Sequence, residues 1–287
     1  MAKKESKKFL KIGVQGLSGS YSELAAKQFY NLTGQRIILN LYEESESVVN
    51  NLLSGKIDNA ILPIENSIIG GISLNIDLII KNNLQIMGEH YLKIEHCLLA
   101  KKGQEKNKIR EVYSHPAALD QCRLYLKKMS LRPISTFDTA GAVAHIKKNE
   151  GIIAGEHVAE LYNLQVLEKN IQNMKNNFTR FFQLAPPLTT SNLLEGLNKF
   201  EKCTLAFGTK HKPGSLVSVL KLFAKNGINL TKLESRPVPE NPFNYIFLVD
   251  FEGPVKKSNF DKTLKGLSKE CPMFTLLGKY RKSGVLI

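Results

Sequence analysis

Phe9-Leu10-Lys11-Ile12-Gly13-Val14, then Gly16-Leu17-Ser18-Gly19-Ser20, then Tyr21-Ser22-Glu23 reads as an apolar strand, a glycine-rich turn and a helix reaching about Leu32. Ser20 and Glu23 form an S-x-x-E capping box, which by itself accounts for both residues structurally. The same turn brings backbone N–H groups to a helix N-terminus, where the hydroxyls of Ser20 and Ser22 add donors for an anion. No Gly-Lys-Ser/Thr follows, so it is not a Walker A loop, and it lacks the dinucleotide fingerprint.

Reading outward, Ile37 to Tyr42 is a strand and Ser45 to Ser54 a capped helix closed by Gly55. Ala60-Ile61-Leu62 runs into Pro63-Ile64-Glu65-Asn66-Ser67, which places an acid, an amide and a hydroxyl where a buried strand ends. Ligands of open α/β sheets bind beyond the carboxyl ends of strands, so these residues are site candidates. Turn and cap chemistry explains them equally well, with Gly70-Gly71 finishing the loop and Asn75 or Asp77 starting a helix. A second α/β block begins near His96-Cys97-Leu98-Leu99. It continues with a strand at Glu111-Val112-Tyr113-Ser114 and a helix from Pro116 to Lys128 with Gln121 inside it. A strand over Arg132 to Ser135, a helix capped by Asp138 or Thr139 through Lys148, and a strand at Ile152-Ile153-Ala154 follow. Two βα lobes with a cleft between them are expected, with Thr179 on the returning strand.

On that return, Asn177-Phe178-Thr179-Arg180-Phe181-Phe182 sets a hydroxyl, a fixed positive charge and an amide in an aromatic run. An arginine there needs an exit to water or an anion to hold. In a regular strand Thr179 and Arg180 point to opposite faces, so both reach one ligand only if the strand is distorted or ends. Ala185 to Phe200 has linker composition, and from Glu201 the pattern becomes βαββαβ, the order of a ferredoxin-like module. Its elements are Cys203 to Thr209, a helix Ser215 to Asn226, Asn229 to Arg236, Asn244 to Phe251, a helix Asn259 to Ser268, and Met273 to Lys279.

Composition agrees with a soluble globular chain. Its 287 residues, 43% hydrophobic, suffice for a substantial core in two domains or a domain plus a module. The net charge of +14 comes largely from dispersed lysines without an RNP-type or DNA-reading signature, which argues against nucleic acid and suits a small polyanionic substrate. No apolar stretch approaches the roughly 20 residues a membrane span needs. The basic start lacks a signal-type apolar region, so a cytoplasmic location is expected. Cys97, Cys122, Cys203 and Cys271 are scattered, without zinc-ligand spacing, and read as reduced and buried.

The chain resembles prephenate dehydratases, close relatives of the plant arogenate dehydratases, with a C-terminal ACT regulatory domain. The resemblance runs in order from about Ile12 to Gly278. It rests on Gly16 to Glu23, Pro63-Ile64-Glu65-Asn66-Ser67, Ser114-His115-Pro116, Gln121-Cys122, Asp138-Thr139-Ala140 and Thr179-Arg180-Phe181. In the tail it rests on Gly214-Ser215-Leu216-Val217 and Glu234-Ser235-Arg236-Pro237. It implies a two-lobed, periplasmic-binding-protein-like α/β catalytic domain over 1–187, with lobes of about 9–95 plus 175–187 and 96–174. A linker over 188–200 and a ferredoxin-like ACT domain over 201–287 follow.

The implied reaction is the decarboxylating dehydration of prephenate to phenylpyruvate, which requires no metal or redox cofactor. Thr179 is implied as the residue assisting hydroxide departure. Ser20, Ser22, Glu65, Asn66, Ser114 and Gln121 are implied in the substrate cleft, and Arg180 as a carboxylate holder or a structural clamp. His115, before Pro116, reads as a cap or structural residue at least as well as a catalytic one. The two tail motifs imply phenylalanine binding where two ACT modules meet, hence a homodimer or homotetramer. Ala117, Asp138, Leu17 and Ser215 depart from the bacterial pattern toward the plant one. Arogenate is therefore an alternative substrate, with prephenate expected because the start lacks a transit-type leader. A non-enzymatic amino-acid sensor is the competing class, which would have no chemical use for Thr179.

Overall fold

Strand β1 (Leu10–Gln15) buries Ile12 and Val14 completely, and α1 (Tyr21–Thr33) covers it with Ala25, Ala26 and Tyr30. The computed structural model describes residues 9–136, 143, 146–187, 200–238, 244–253 and 255–283. The expected helix at Asp138 or Thr139 and nearly all of the expected linker over 188–200 lie outside the described residues.

The first sheet continues with β2 (Ile37–Tyr42), β3 (Asn59–Asn66), the short β4 (Gly70–Gly71) and β5 (Gln85–Lys93). Its helices are α2 (Ser45–Leu53) and α3 (Ser73–Lys81). The chain then builds β6 (Cys97–Lys101), β7 (Glu111–Ser114), α4 (Pro116–Gln121), α5 (Arg123–Lys128), β8 (Arg132–Ser135), β9 (Glu150–Ala154), α6 (His157–Leu161) and β10 (Leu164–Glu168). It returns as β11 (Phe178–Ala185), which enters the first sheet between β3 and β5, antiparallel to both. The strand orders are β2-β1-β3-β11-β5 and β10-β6-β9-β7-β8, so each lobe mixes parallel βαβ pairing with antiparallel strands.

The third sheet, from β12 (Lys202–Gly208), β13 (Leu230–Pro237), β14 (Tyr245–Glu252) and β15 (Phe274–Tyr280), has the all-antiparallel order β13-β14-β12-β15. With α7 (Ser215–Lys225) and α8 (Lys257–Glu270) it makes the expected βαββαβ module. One face carries a phenylalanine-rich core under those helices. The other shares a core with the first lobe, where Ala206, Leu248, Leu277 and Tyr280 join Ile86, Phe182 and Leu184. Gly278 lies so close to the Ile86 carbonyl that a Cβ there would clash with it. No helix among the described residues is long and apolar enough to cross a membrane.

Several local expectations change. The strand expected to end at Leu62 runs on through Pro63 to Asn66, so Glu65 and Asn66 pair with Arg180 and Thr179 instead of lying in a loop. The single helix expected from Pro116 to Lys128 breaks at Cys122, because Asn173 enters its hydrogen-bond ladder. The Asn173 N–H donates to Gln121 O (2.7 Å) and its Oδ1 accepts from Leu124 N (3.0 Å). The helix expected to start at Asn75 or Asp77 begins at Ser73, which frees the Asn75 amide to donate to Pro63 O at 2.7 Å. Helix α2 has Glu44 at its N-cap without a side-chain cap bond. Strands β5 and β10 have no counterpart in the sequence reading, and in β5 the reason is polar residues turned inward, Glu89 and His90 both being buried.

Candidate active site

The turn after β1 depends on Gly16 and Gly19, whose φ values of 110° and 87° belong to glycine. A Cβ on Gly16 would also press on the Ser20 side chain. Ser20 Oγ accepts from Glu23 N (3.2 Å) as in the standard box, while Glu23 Oε2 accepts from Gly19 N (2.6 Å), one residue before the N-cap N–H of that box. The second lobe grips this turn from across the cleft. Tyr162 donates to Ser18 O (2.9 Å), and His157 Nε2 lies 2.9 Å from Gly19 O.

Between the lobes is a cavity of about 350 Å³. Ser20, Ser22, Asn66, Ser114, Gln121 and Thr179 line it, together with Tyr21, His96, His115 and Phe181. Thr179 and Asn66 are cross-strand partners on β11 and β3, and Asn66 Nδ2 donates to Thr179 Oγ1 at 3.0 Å. The same nitrogen donates to Asn177 Oδ1 (2.7 Å), and Asn177 Nδ2 donates to Gln121 Oε1 (3.0 Å). Gln121 Oε1 also meets His96 Nε2 at 2.8 Å, while Tyr21 OH lies 3.2 Å from His96 Nδ1 and donates to Glu95 O at 2.8 Å. Burial holds His96 below the usual histidine pKa against the raising effect of the Gln121 bond, and it pushes Tyr21 well above the usual tyrosine value. The described lining thus offers neutral amides and hydroxyls around one buried imidazole, with no carboxylate, ammonium or guanidinium side chain.

Ser114 is fully buried with its hydroxyl donating to Ile153 O at 2.7 Å. His115 is exposed, and its Nδ1 accepts from Ala117 N (3.2 Å) as the N-cap of α4.

Two expected cleft residues face elsewhere. Alternation along β11 turns Arg180 to the opposite side from Thr179, where it is 4% exposed. There Nε donates to Glu89 (2.8 Å), one terminal nitrogen to Asp250 (2.5 Å) and the other to Tyr280 OH (3.0 Å). Lys202 Nζ meets Glu89 (3.0 Å) and Tyr91 OH (3.1 Å), completing a buried pair of cations and pair of acids between the first lobe and the C-terminal module. Burial works against the Arg180 charge, but Asp250, Tyr280 and Glu89 outweigh it and raise its pKa. Glu65 likewise turns away from Asn66 and meets Lys232 of the module at 3.0 Å. Neither Arg180 nor Glu65 lines the cavity.

In the C-terminal module, Gly214, Ser215, Leu216 and Val217 line a second cavity of about 370 Å³ with Lys210, His211 and Tyr245. Gly214, with φ 79°, caps α7. None of Glu234, Ser235, Arg236 and Pro237 lines it. Glu234 pairs with Lys232 (2.9 Å), and Arg236 grips Asp77 through two 2.8 Å bonds and Ser73 Oγ at 2.7 Å.

Sequence reasoning gave the Asn177 amide no role beyond its place in the aromatic run, and missed His96 and Tyr21 as parts of the site. The available signal was an amide directly before the Thr179 strand and a histidine where the chain crosses between lobes.

A family model described as prephenate dehydratase matches residues 12–187. A prephenate dehydratase of Methanocaldococcus jannaschii is 39% identical, the match covering 91% of this chain and 94% of that protein. The Arabidopsis thaliana protein called arogenate dehydratase/prephenate dehydratase 2, chloroplastic, is 35% identical over 94% of this chain and 72% of its own length. A crystal structure of prephenate dehydratase from Arthrobacter aurescens in complex with L-Phe superposes with a TM-score of 0.83 at 26% identity, covering 95% of this chain and 90% of that one.

Proposed function

The chain belongs to the prephenate dehydratase family, and from that premise we propose that it converts prephenate to phenylpyruvate in phenylalanine synthesis, acting as a carbon–oxygen lyase. The observation that carries the reading is the Thr179 hydroxyl on the cavity wall, held from behind by Asn66 at 3.0 Å. In the reaction the electron pair of the ring-to-carboxylate bond moves into the ring as the C–O bond breaks. Carbon dioxide leaves, and the hydroxide takes up a proton to become water. Aromatisation supplies the driving force, so the protein has to orient the substrate, strip water from the departing carboxylate and hydrogen-bond the departing oxygen.

Thr179 is the donor to that oxygen. Gln121, Ser22 and the N-terminus of α1 at Ser20 take the pyruvoyl side, and Asn66 holds Thr179. Ser114 serves the cleft as wall and acceptor. An uncharged lining favours loss of a carboxylate charge as carbon dioxide. Arogenate is the second reading, supported by the identity with the Arabidopsis protein. Incubating purified protein with each substrate and identifying the product decides between them. Binding without turnover of either would leave the amino-acid sensor.

The working units of this proposal are a catalytic domain over 1–187, a linker over 188–200 and an ACT domain over 201–287. L-Phenylalanine is the regulatory ligand, taken at Gly214 to Val217 and Glu234 to Pro237 where two ACT modules meet in a homodimer or homotetramer. The support is the L-Phe complex of the similar structure and the cavity at Gly214. Arg236 and Lys232 tie strand β13 to Asp77 and Glu65 of the first lobe. A ligand that draws on Glu234 or Arg236 would therefore disturb the contact between module and lobe.

A further inference from the structure

We propose that Asn177 is a positioning residue that makes Gln121 face the cleft as a second hydrogen-bond donor beside Thr179. This rests on the reading of Thr179 as donor to the departing oxygen.

The polarity is set at one end by backbone. Asn66 Oδ1 accepts from Ile68 N (3.0 Å) and Ile69 N (3.1 Å), groups that can only donate, so Asn66 Nδ2 must face Asn177 and Thr179. Thr179 Oγ1 is therefore an acceptor toward Asn66, and its own proton has no acceptor among the described residues other than what enters the cleft. Asn177 must in turn present Oδ1 to Asn66 and Nδ2 to Gln121 Oε1. That fixes the Gln121 amide, whose Nε2 is left toward the cavity without a partner among the described residues. His96 follows as well. Its proton sits on Nε2, donating to Gln121 Oε1, and Nδ1 faces the Tyr21 hydroxyl.

Asn177 itself is fully buried and does not line the cavity, so it acts only through its neighbours. Reversing its amide would bring two NH2 groups together at Asn66 and force Gln121 to turn its carbonyl into the cleft. One buried amide thus decides whether the cleft offers a substrate oxygen a second donor or a repelling acceptor.

The test uses Asn177→Asp, whose carboxyl imitates the amide only when protonated, accepting from Asn66 and donating O–H to Gln121 Oε1. Ionised, it can only accept. Burial raises a carboxyl pKa, so the ratio of variant to parent kcat on prephenate is expected to fall about tenfold or more at about pH 8 and to recover as pH falls toward about 5. Asn177→Leu, which fills the space without either polar role, is expected to show the deficit at every pH. A variant-to-parent ratio for Asn177→Asp that does not change with pH, or Asn177→Leu turning over like the parent, overturns the proposal. If Asn177→Asp folds only at the acidic end, the comparison is made there, and equal activity of the two variants overturns it. Thr179→Val measured alongside separates the premise. If Thr179→Val keeps parental kcat, the Thr179 reading fails; if it is inactive while Asn177→Asp shows no recovery, only the Asn177 proposal fails.

Discussion

Thr179 and Arg180 are consecutive on β11 and serve opposite faces of one sheet, Thr179 meeting Asn66 at the cleft wall and Arg180 closing a buried charge cluster with Asp250 of the C-terminal module. The proposed chemistry and the module attachment are therefore one peptide unit apart. Whatever shifts the module's grip on Arg180 acts on the strand that positions Thr179.

Removing Arg180 leaves Glu89 buried with Lys202 and takes from buried Asp250 its paired cation. Arg180→Met is expected to lower unfolding free energy by about 3–5 kcal/mol, the usual cost of breaking a buried pair on one side. Denaturant titration measures this. The folded fraction should keep its substrate KM within about twofold, because Arg180 does not line the cavity. A large rise in KM would return Arg180 to the cleft as a carboxylate holder.

Thr179→Val keeps the shape of the side chain and removes the hydroxyl. It should lower kcat by about 10²-fold or more, the lower end of what a positioned proton donor contributes, with little change in KM. Thr179→Ser should retain most of the turnover. Steady-state kinetics with product identification reads both.

Burial lowers the pKa values of His90, His96 and His157. The unfolded chain binds protons on these rings at a higher pH than the folded one, so stability is fully present above the ordinary histidine range. It is lost as pH falls from about 6.5 toward the depressed folded values. Thermal melting across that interval should show a falling midpoint. His96→Gln, which keeps an amide donor near Gln121, should flatten the slope, and an unchanged slope would remove His96 from the titrating set.

Much of this was legible because the decisive signals were local. The Gly16 to Glu23 turn, the β11 run and each single element of the βαββαβ tail carry their signal within a dozen or so residues. The opposite facing of Thr179 and Arg180 followed from strand alternation alone. What sequence could not supply was the partner across the interface. Arg180 called for an anion, but nothing near it in the chain indicates Asp250 or Glu89, which arrive from β14 and β5. Glu65 and Asn66 looked equivalent because the strand was expected to stop at Leu62. Once β3 runs on past Pro63, alternation divides them between module and cleft. Strand β5 escaped for the same reason, since its inward Glu89 and His90 are stabilised only by residues distant in sequence.

Arg236 and Asp77 tie strand β13 to the first lobe, a two-pronged contact at 2.8 Å reinforced by Ser73. Under the proposed regulation, phenylalanine has to compete with this tie for the Glu234 to Pro237 segment. Asp77→Ala weakens the tie without touching the cleft, so activity in the absence of phenylalanine should be unchanged. The half-inhibitory phenylalanine concentration should fall by up to about fivefold, because a partly exposed ion pair contributes only about 0.2–1 kcal/mol to the equilibrium being shifted. Inhibition curves for parent and variant on prephenate measure it. A rise in that concentration would assign the tie to the inhibited form instead, and absence of any phenylalanine effect on the parent would remove the regulatory reading altogether.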